Sequence, residues 1–307
     1  MTNRPKLAHS SGRLRRAEIR AGVLFASPWM AGFLLFTLGP LVASIWLSMT
    51  QYDVLTPPRF VGLDNYRNII LADRLFYKSL YNTLYITVFG VPANILMGLG
   101  IAMLLNLKVK GMHFYRTIYY LPSIVPTVAS AILWMWLLNP QFGLINAALS
   151  LLGISGPAWL SSETWSKPSI ILMGLWGAGG SMVIYLAGLK GIPEQLYEAA
   201  EIDGAGIWAK FFKITLPMLT PTLFFNLIMG IIGHLQIFAQ AYIMTGGGPV
   251  DSTLFYVYYL FNNAFAYFKM GYASALAWIL FLIILVITLI QFHFANRWVY
   301  YEGAERG

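Results

Sequence analysis

The chain holds 307 residues, of which 58% are hydrophobic and only 10% charged, with a net charge of +8 and no cysteine. A soluble domain carries roughly a quarter charged residues; the deficit, together with long uncharged apolar runs, excludes an ordinary soluble globule and indicates a polytopic membrane protein. The lack of cysteine excludes a disulfide framework, a thiolate metal site and a thiol nucleophile, and the basic residues lie in short loops beside apolar runs, which argues against a nucleic-acid partner.

Residues 1–21 are basic, with Arg4, Lys6, Arg13, Arg15, Arg16 and Arg20 against the single acid Glu18. They read as a cytoplasmic tail anchoring the first span. Arg15-Arg16 is not read as an export signal, because the apolar run that follows is too long and shows no small-residue cleavage site. The first span covers about 22–49 and contains Pro28 and Pro40. A polar stretch at 51–79 leads to a second span at about 80–105, which carries Asn82, Pro92 and Asn94. Lys108, Lys110 and Arg116 make the next loop basic. The third span is placed at about 117–138, with Pro122 and Pro126 near its start and Trp134 and Trp136 near its end. Tryptophan favours the membrane interface, which suits a helix leaving the hydrocarbon. The connection at 139–168 includes Phe142 to Leu149, too short to span and suited to the interface. The fourth span is about 169–189, a polar interruption occupies 190–217, and the fifth span is about 218–244. Thr245-Gly246-Gly247-Gly248-Pro249 ends it as a turn. Asp251-Ser252-Thr253 is expected to cap the aromatic helix that follows. The sixth span is about 272–294, and 297–307 form a short tail. Fourteen of the 20 lysines and arginines fall on the side of the amino terminus, the 190–217 interruption and the carboxyl terminus. The bias puts all three in the cytoplasm.

The polar interruption is the organising element. Pro193 suits the first turn of a helix, and Glu194 and Glu198 follow near the positive end of its dipole. Leu196, Ala199, Ala200 and Asp203 recur at helical spacing and make one small, smooth face. Gly204 and Gly206 can end that helix. Ile207 to Leu216 read as a second short amphipathic helix, and Pro217 and Pro221 mark the return to the membrane. A knuckle of this size buries no core of its own, so its small face awaits a partner.

Glu198-Ala199-Ala200, Asp203-Gly204-Ala205 and Ile214-Thr215-Leu216-Pro217, in this register, resemble the EAA loop of binding-protein-dependent ABC importer permeases. Phe60-Val61-Gly62-Leu63-Asp64-Asn65-Tyr66 and the Thr-Gly-Gly-Gly-Pro turn are similar to the carbohydrate-type members, and the likeness runs from about residue 20 to the end. The resemblance implies an all-α, type I permease domain at 22–296 with six transmembrane helices and a cytoplasmic coupling helix-turn-helix. It implies a bacterial inner membrane, a second, homologous permease subunit, two ATPase subunits holding ATP and Mg, and an external solute-binding protein. In that scheme Glu198 is the charged anchor in the ATPase groove, Ala199 and Ala200 the close-packed face, and Gly204 the bend, with Asp203 beside it.

The remaining residues carry little catalytic chemistry. No acid falls well inside a span, which weakens a self-sufficient proton- or sodium-coupled carrier, the alternative reading. There is no GxxxxGK[ST] loop, so ATP hydrolysis belongs elsewhere. The four histidines are scattered without metal-ligand spacing. On the fifth span Asn226, Gly230, Gly233, His234, Gln236 and Gln240 share one polar, small arc at about 100° per residue. Such an arc is either helix packing joined by amide hydrogen bonds or a path offering donors and acceptors to hydroxyls; sugar permeases place substrate contacts here, which favours the path. On the fourth span Gly174, Gly177, Ser181, Tyr185 and Gly188 form a small stripe that reads first as close packing. Gly177 and the neighbouring Trp176, whose ring can stack on a sugar or face lipid, complete the candidate path.

Overall fold

The computed structural model describes residues 12–107 and 109–300; the expectations for residues 1–11, Lys108 and residues 301–307 lie outside it. Helices run in the order α1 (Gly12–Phe33), α2 (Gly39–Ser48), α3 (Asp64–Leu71), α4 (Arg74–Leu105), α5 (Met112–Ile124), α6 (Thr127–Leu137), α7 (Leu144–Leu151), α8 (Ser166–Trp176), α9 (Gly179–Lys190), α10 (Glu194–Ile202), α11 (Ile207–Lys210), α12 (Leu216–Met218), α13 (Thr220–Leu235), α14 (Ala239–Met244), α15 (Tyr256–Phe261) and α16 (Met270–Trp298). Among the described residues the only sheet is one antiparallel pair, β1 (Thr50–Gln51) with β2 (Arg59–Phe60).

Three stretches are long and apolar enough to cross a membrane unaided, Arg15–Ser48, Arg74–Leu105 and Met270–Trp298, and there are up to six if each of three bent pairs is one span. α1 and α2 form one rod through a π-turn at Leu34–Leu38, where Gly39 N–H bonds Leu34 O immediately before Pro40. The wider turn absorbs the bond that Pro40 cannot make. None of the rod's most apolar window is buried. Within this rod it is α2 that packs closely on α16, where Trp278 Nε1 donates to Ser44 Oγ at 3.1 Å.

α4 is the axle of the rest and contacts α8, α9, α13 and α15. One end is fixed by Asp73. Its Oδ1 caps α4 by accepting from the Leu75 and Phe76 amides at 2.9 and 3.0 Å, and its Oδ2 accepts from the Tyr259 and Tyr272 hydroxyls, each at 2.5 Å. Phe255, Tyr256, Leu276 and Ile69 are buried beside it. The other half of α4 packs Leu99, Ala102 and Leu105 against Met182, Tyr185, Leu189 and Leu219.

Each bent pair has a local cause. The segment read as the third span is two helices, α5 and α6, meeting at 97°. Pro126 follows Val125, and the residue before a proline is driven out of the helical region; Val125 is extended, with ψ of 129°. α8 and α9 meet at 49°, and the α11–α12 rod meets α13 at 64°. The first break follows Gly177; the second precedes Pro221. The Asp251-Ser252-Thr253 cap does not form. The aromatic helix α15 begins after Phe255, without a side-chain cap from its own chain segment. Thr83 Oγ1 of α4 accepts the Tyr256 amide instead, at 2.8 Å, so a tertiary partner replaces the local one.

Candidate functional site

Two places concentrate the candidate residues: the knuckle and a cavity beside α13. In the knuckle, Pro193 precedes α10. The helix ends on Gly204, at φ +73°, with Gly204 N–H on Glu201 O at 3.0 Å and Ala205 N–H on Ala200 O at 2.8 Å. That is a Schellman closure, which a residue without Cβ makes without strain. Tyr197 and Glu201 face the second arm. The Tyr197 hydroxyl bonds Thr215 Oγ1 at 2.8 Å, and Lys210 Nζ donates to Glu201 Oε1 at 2.6 Å. The hydrogen bond and charge of Lys210 hold the Glu201 carboxyl below its usual range.

The opposite side of α10 is open. Glu198 and Ala199 are exposed, Ile202 is 87% exposed, and Ile207 and Trp208 across the turn are 84% and 73% exposed. The four-residue face expected from spacing is divided. Ala199 stays outside, whereas Ala200 and Asp203 turn into a hollow of about 380 Å³ between the two arms, with Lys210 and Lys213 opposite. The motif does not single out Tyr197, one of the two residues of α10 that tie the arms together; its phenol pairs with a threonine 18 residues on, a distance that helical spacing cannot register.

The cavity, about 560 Å³, lies between α4, α6, α8 and the α13–α14 segment. Asn94, Thr127, Gly230, Gly233, His234, Gln236 and Gln240 are among its lining, with Ile86, Ile170, Ile171 and Met229 as apolar walls. A second cavity of about 230 Å³ adjoins it, lined by Asn94, Ser181, Tyr185, Asn226, Gly230 and His234 among others. Neither lining contains an acid, lysine or arginine. His234 stands at the junction. Its Nδ1 lies 2.9 Å from Gly230 O, and a carbonyl only accepts, so Nδ1 carries the hydrogen; in the neutral ring Nε2 is then an acceptor. A Cβ on Gly90 would sit 2.9 Å from Nε2, so this glycine of α4 makes room for the imidazole. Ser181 Oγ donates to Asn94 Oδ1 at 3.2 Å, joining α9 to α4.

The structure therefore brings Asn226, Gly230, His234, Gln236 and Gln240 to one or other cavity. It does so by a route the helical wheel does not describe. α13 stops at Leu235, the backbone bends through Phe238 (φ −138°), and α14 restarts at Ala239. Gln240 reaches the cavity from the second helix. Trp176 and Gly177 are not brought there. Trp176 packs edge-on to Trp134 at 6.2 Å, and Gly177 is the cap that ends α8; Gly174, one turn earlier, lines the wall instead. Asn94 and Thr127 are lining residues that sequence reasoning does not place in the path. A polar residue within the apolar second span is the available signal for Asn94.

A helical membrane protein with an exposed elbow at one end and an uncharged polar cavity among broken helices has the form of a transport permease. Residues 90–300 match the family model described as the binding-protein-dependent transport system inner membrane component. The chain is 45% identical, over 99% of its own length and 100% of the relative's, to the probable ABC transporter permease protein YesP of Bacillus subtilis. It is 34% identical, over 91% and 95%, to the trehalose/maltose transport system permease protein MalF of Thermococcus litoralis. Among solved structures, a chain of a bacterial ABC transporter involved in the import of the acidic polysaccharide alginate superimposes with a TM-score of 0.77 at 27% identity, covering 93% of this chain and 99% of that one. The chain belongs to the binding-protein-dependent transport family of inner-membrane components, and it is a transport subunit, not an enzyme.

Proposed function

We propose that this chain is the translocating subunit of an ATP-driven importer for a sugar or related polyol. An external binding protein delivers the solute, and a separate ATPase drives the cycle through the knuckle. The observation that carries the reading is the continuity of the two sites. The arm that braces α10 runs through α11 and α12 directly into α13, whose Asn226, Gly230 and His234 line the cavities. A displacement of the knuckle is thus a displacement of the cavity wall.

The chemistry of each end suits its role. The cavity offers amide, hydroxyl and imidazole groups without charge, which pair with hydroxyls, and its Ile and Met walls suit the apolar faces of a pyranose. The exposed face of α10 offers Glu198 beside Ala199 and Ile202, a carboxylate next to a flat apolar patch. It fits a groove on an ATPase with a basic residue at its edge. ATP and Mg reside on that partner. When ATP closes the ATPase pair, the knuckle moves as a rigid body and the spans rock about it. The substrates in the relatives' names, trehalose/maltose among them, support a sugar, and an alginate transporter chain of this fold is seen with a pentasaccharide-bound periplasmic protein. A second permease subunit, a homologous but different chain, and a cytoplasmic placement of both termini complete the proposal.

Glu198→Lys tests it. The substitution replaces an exposed group, so insertion and assembly of the permease stay normal. ATP-dependent sugar uptake and substrate-stimulated ATP hydrolysis by the reconstituted complex should fall at least tenfold. Unchanged uptake would refute the coupling role. Uptake by the purified chain alone in liposomes would favour the self-sufficient carrier.

A further inference from the structure

Lys167 is the only cation in α8, and it is 9% exposed. A buried ammonium is normally paired with a carboxylate. Here its hydrogen bonds go to neutral oxygens alone: Asn82 Oδ1 at 3.3 Å and Ser252 O at 3.1 Å. An ammonium has three N–H donors, and these two bonds leave one. Nζ lies 5.3 Å from the centroid of Tyr85 and 5.9 Å from that of Tyr81. Glu163 and Lys78 lie within electrostatic range with opposite signs, but among the described residues no ion pair holds Lys167.

Its position connects it to the transport cavity. Ile170 and Ile171, three and four residues further along α8, line the 560 Å³ cavity, and so does Ile86, four residues along α4 from Asn82. Lys167 and Asn82, the amide that its ammonium bonds, therefore each stand one helical turn, about 5.4 Å, along their helices from residues of the cavity wall, on the side away from the knuckle. Tyr81, 60% exposed, Tyr85 and Phe89 descend α4 on the same flank, with successive ring centroids 6.5 and 4.7 Å apart. The row pairs apolar ring faces with one under-neutralised cation, while the cavity below it has no charged group.

We infer that Lys167, Tyr81 and Tyr85 form an outer subsite for an acidic saccharide, in which a sugar ring lies on the tyrosines and its carboxylate faces Lys167, while neutral rings enter the amide-lined cavity. The inference rests on the proposed sugar path and adds the charge of the substrate to it. An anion at this point supplies the counter-charge that Asn82 and Ser252 do not. The neutral cavity below then leaves the carboxylate bound at the outer end, which orients the solute on entry.

Cellobiose and cellobiouronic acid differ only by the C6 carboxylate and serve as probes. Their binding to the complete transporter in nanodiscs is measured at equilibrium, without binding protein, so that this subsite alone discriminates. Wild type should bind the acid at least tenfold more tightly than cellobiose, an advantage that shrinks as salt rises. Lys167→Gln should bring the two affinities together, Lys167→Arg should keep the preference, and Tyr85→Leu should weaken both sugars. Equal affinities in wild type, a preference that survives Lys167→Gln in an assembled complex, or no binding of either sugar would overturn the subsite. ATP-dependent uptake of neutral and acidic saccharides by the same complex tests the transport reading separately: uptake without charge discrimination removes the subsite and leaves the permease, whereas absence of all uptake removes the permease reading.

Discussion

The two ends of the molecule are held in opposite ways. At the Asp73 end a single carboxylate accepts four hydrogen bonds from α4, α15 and α16, and it does so over buried aromatic side chains. At the knuckle the two arms are joined by one phenol–threonine bond and one solvent-exposed ion pair, and the largest apolar side chains of the tip point outward. The first end is complete in itself. The second is internally braced but externally unfinished, which is the property of a part that transmits force to another protein. A surface ion pair contributes little to stability; this one links the two arms.

Removing the carboxylate at the complete end gives the largest expected effect. Asp73→Ala deletes the α4 cap, about 1 kcal/mol, and leaves two tyrosine hydroxyls without their charged acceptor, at about 1.5–3 kcal/mol for such bonds. The folded fraction recovered from membranes, measured by thermal size-exclusion stability, should drop sharply. Asp73→Asn should retain the cap and lose less. If Asp73→Ala were as stable as wild type, the rigid end would not be rigid for the reason given. Glu198→Lys should show the converse: unchanged thermal stability with lost coupling. A variant at each end that impaired both properties equally would abolish the distinction.

How far this contrast is legible in the sequence depends on how local each feature is. The knuckle lies within one short segment, so Pro193, the Glu198-Ala199-Ala200 triplet and Gly204 announce the helix, its face and its end. The split between Ala199 and Ala200 is not legible, because it depends on how the second arm folds back. The Asp73 end is assembled from side chains 186 and 199 residues apart, and no periodicity connects them. The cavity falls between. Its polar arc on α13 shows in the spacing of Asn226, Gly230 and His234, which share one continuous helix. The break after Leu235 does not show, since Gln236, Ile237 and Phe238 include neither proline nor glycine. Residue type draws Trp176 into the candidate path and helical spacing draws in Gly177; the bend between α8 and α9 takes the first to a neighbouring tryptophan and makes the second a cap.

A smaller effect sharpens the account of the knuckle. Gly204 is at φ +73°, and no atom of the surroundings lies within 4 Å of where a Cβ would stand, so the penalty of Gly204→Ala is conformational, about 1 kcal/mol. The chain should still insert, and the loss should appear as weakened co-purification of the ATPase, because a strained turn alters the presented face. Equal loss at Gly206→Ala, whose φ of −71° is ordinary for any residue, would show that glycine is required there for a reason other than handedness.

The smallest effect concerns pH. Lys210 lowers the Glu201 carboxyl from its ordinary range, and a depressed carboxylate stabilises the fold above its unfolded value and ceases to do so as pH falls through its folded one. The brace between the knuckle arms is therefore intact at neutral pH and lost only in acid, below the normal carboxylate range. Because the pair is exposed, global stability should barely respond. The arm-to-arm distance should respond, read by paired spin labels on Gln195 and Lys213, neither of which forms the brace. Acidification should broaden that distance distribution in wild type. Glu201→Gln should show the broad distribution already at neutral pH and be insensitive to acid. A wild-type distribution that stays narrow throughout would assign the angle between the arms to Tyr197 and Thr215 alone.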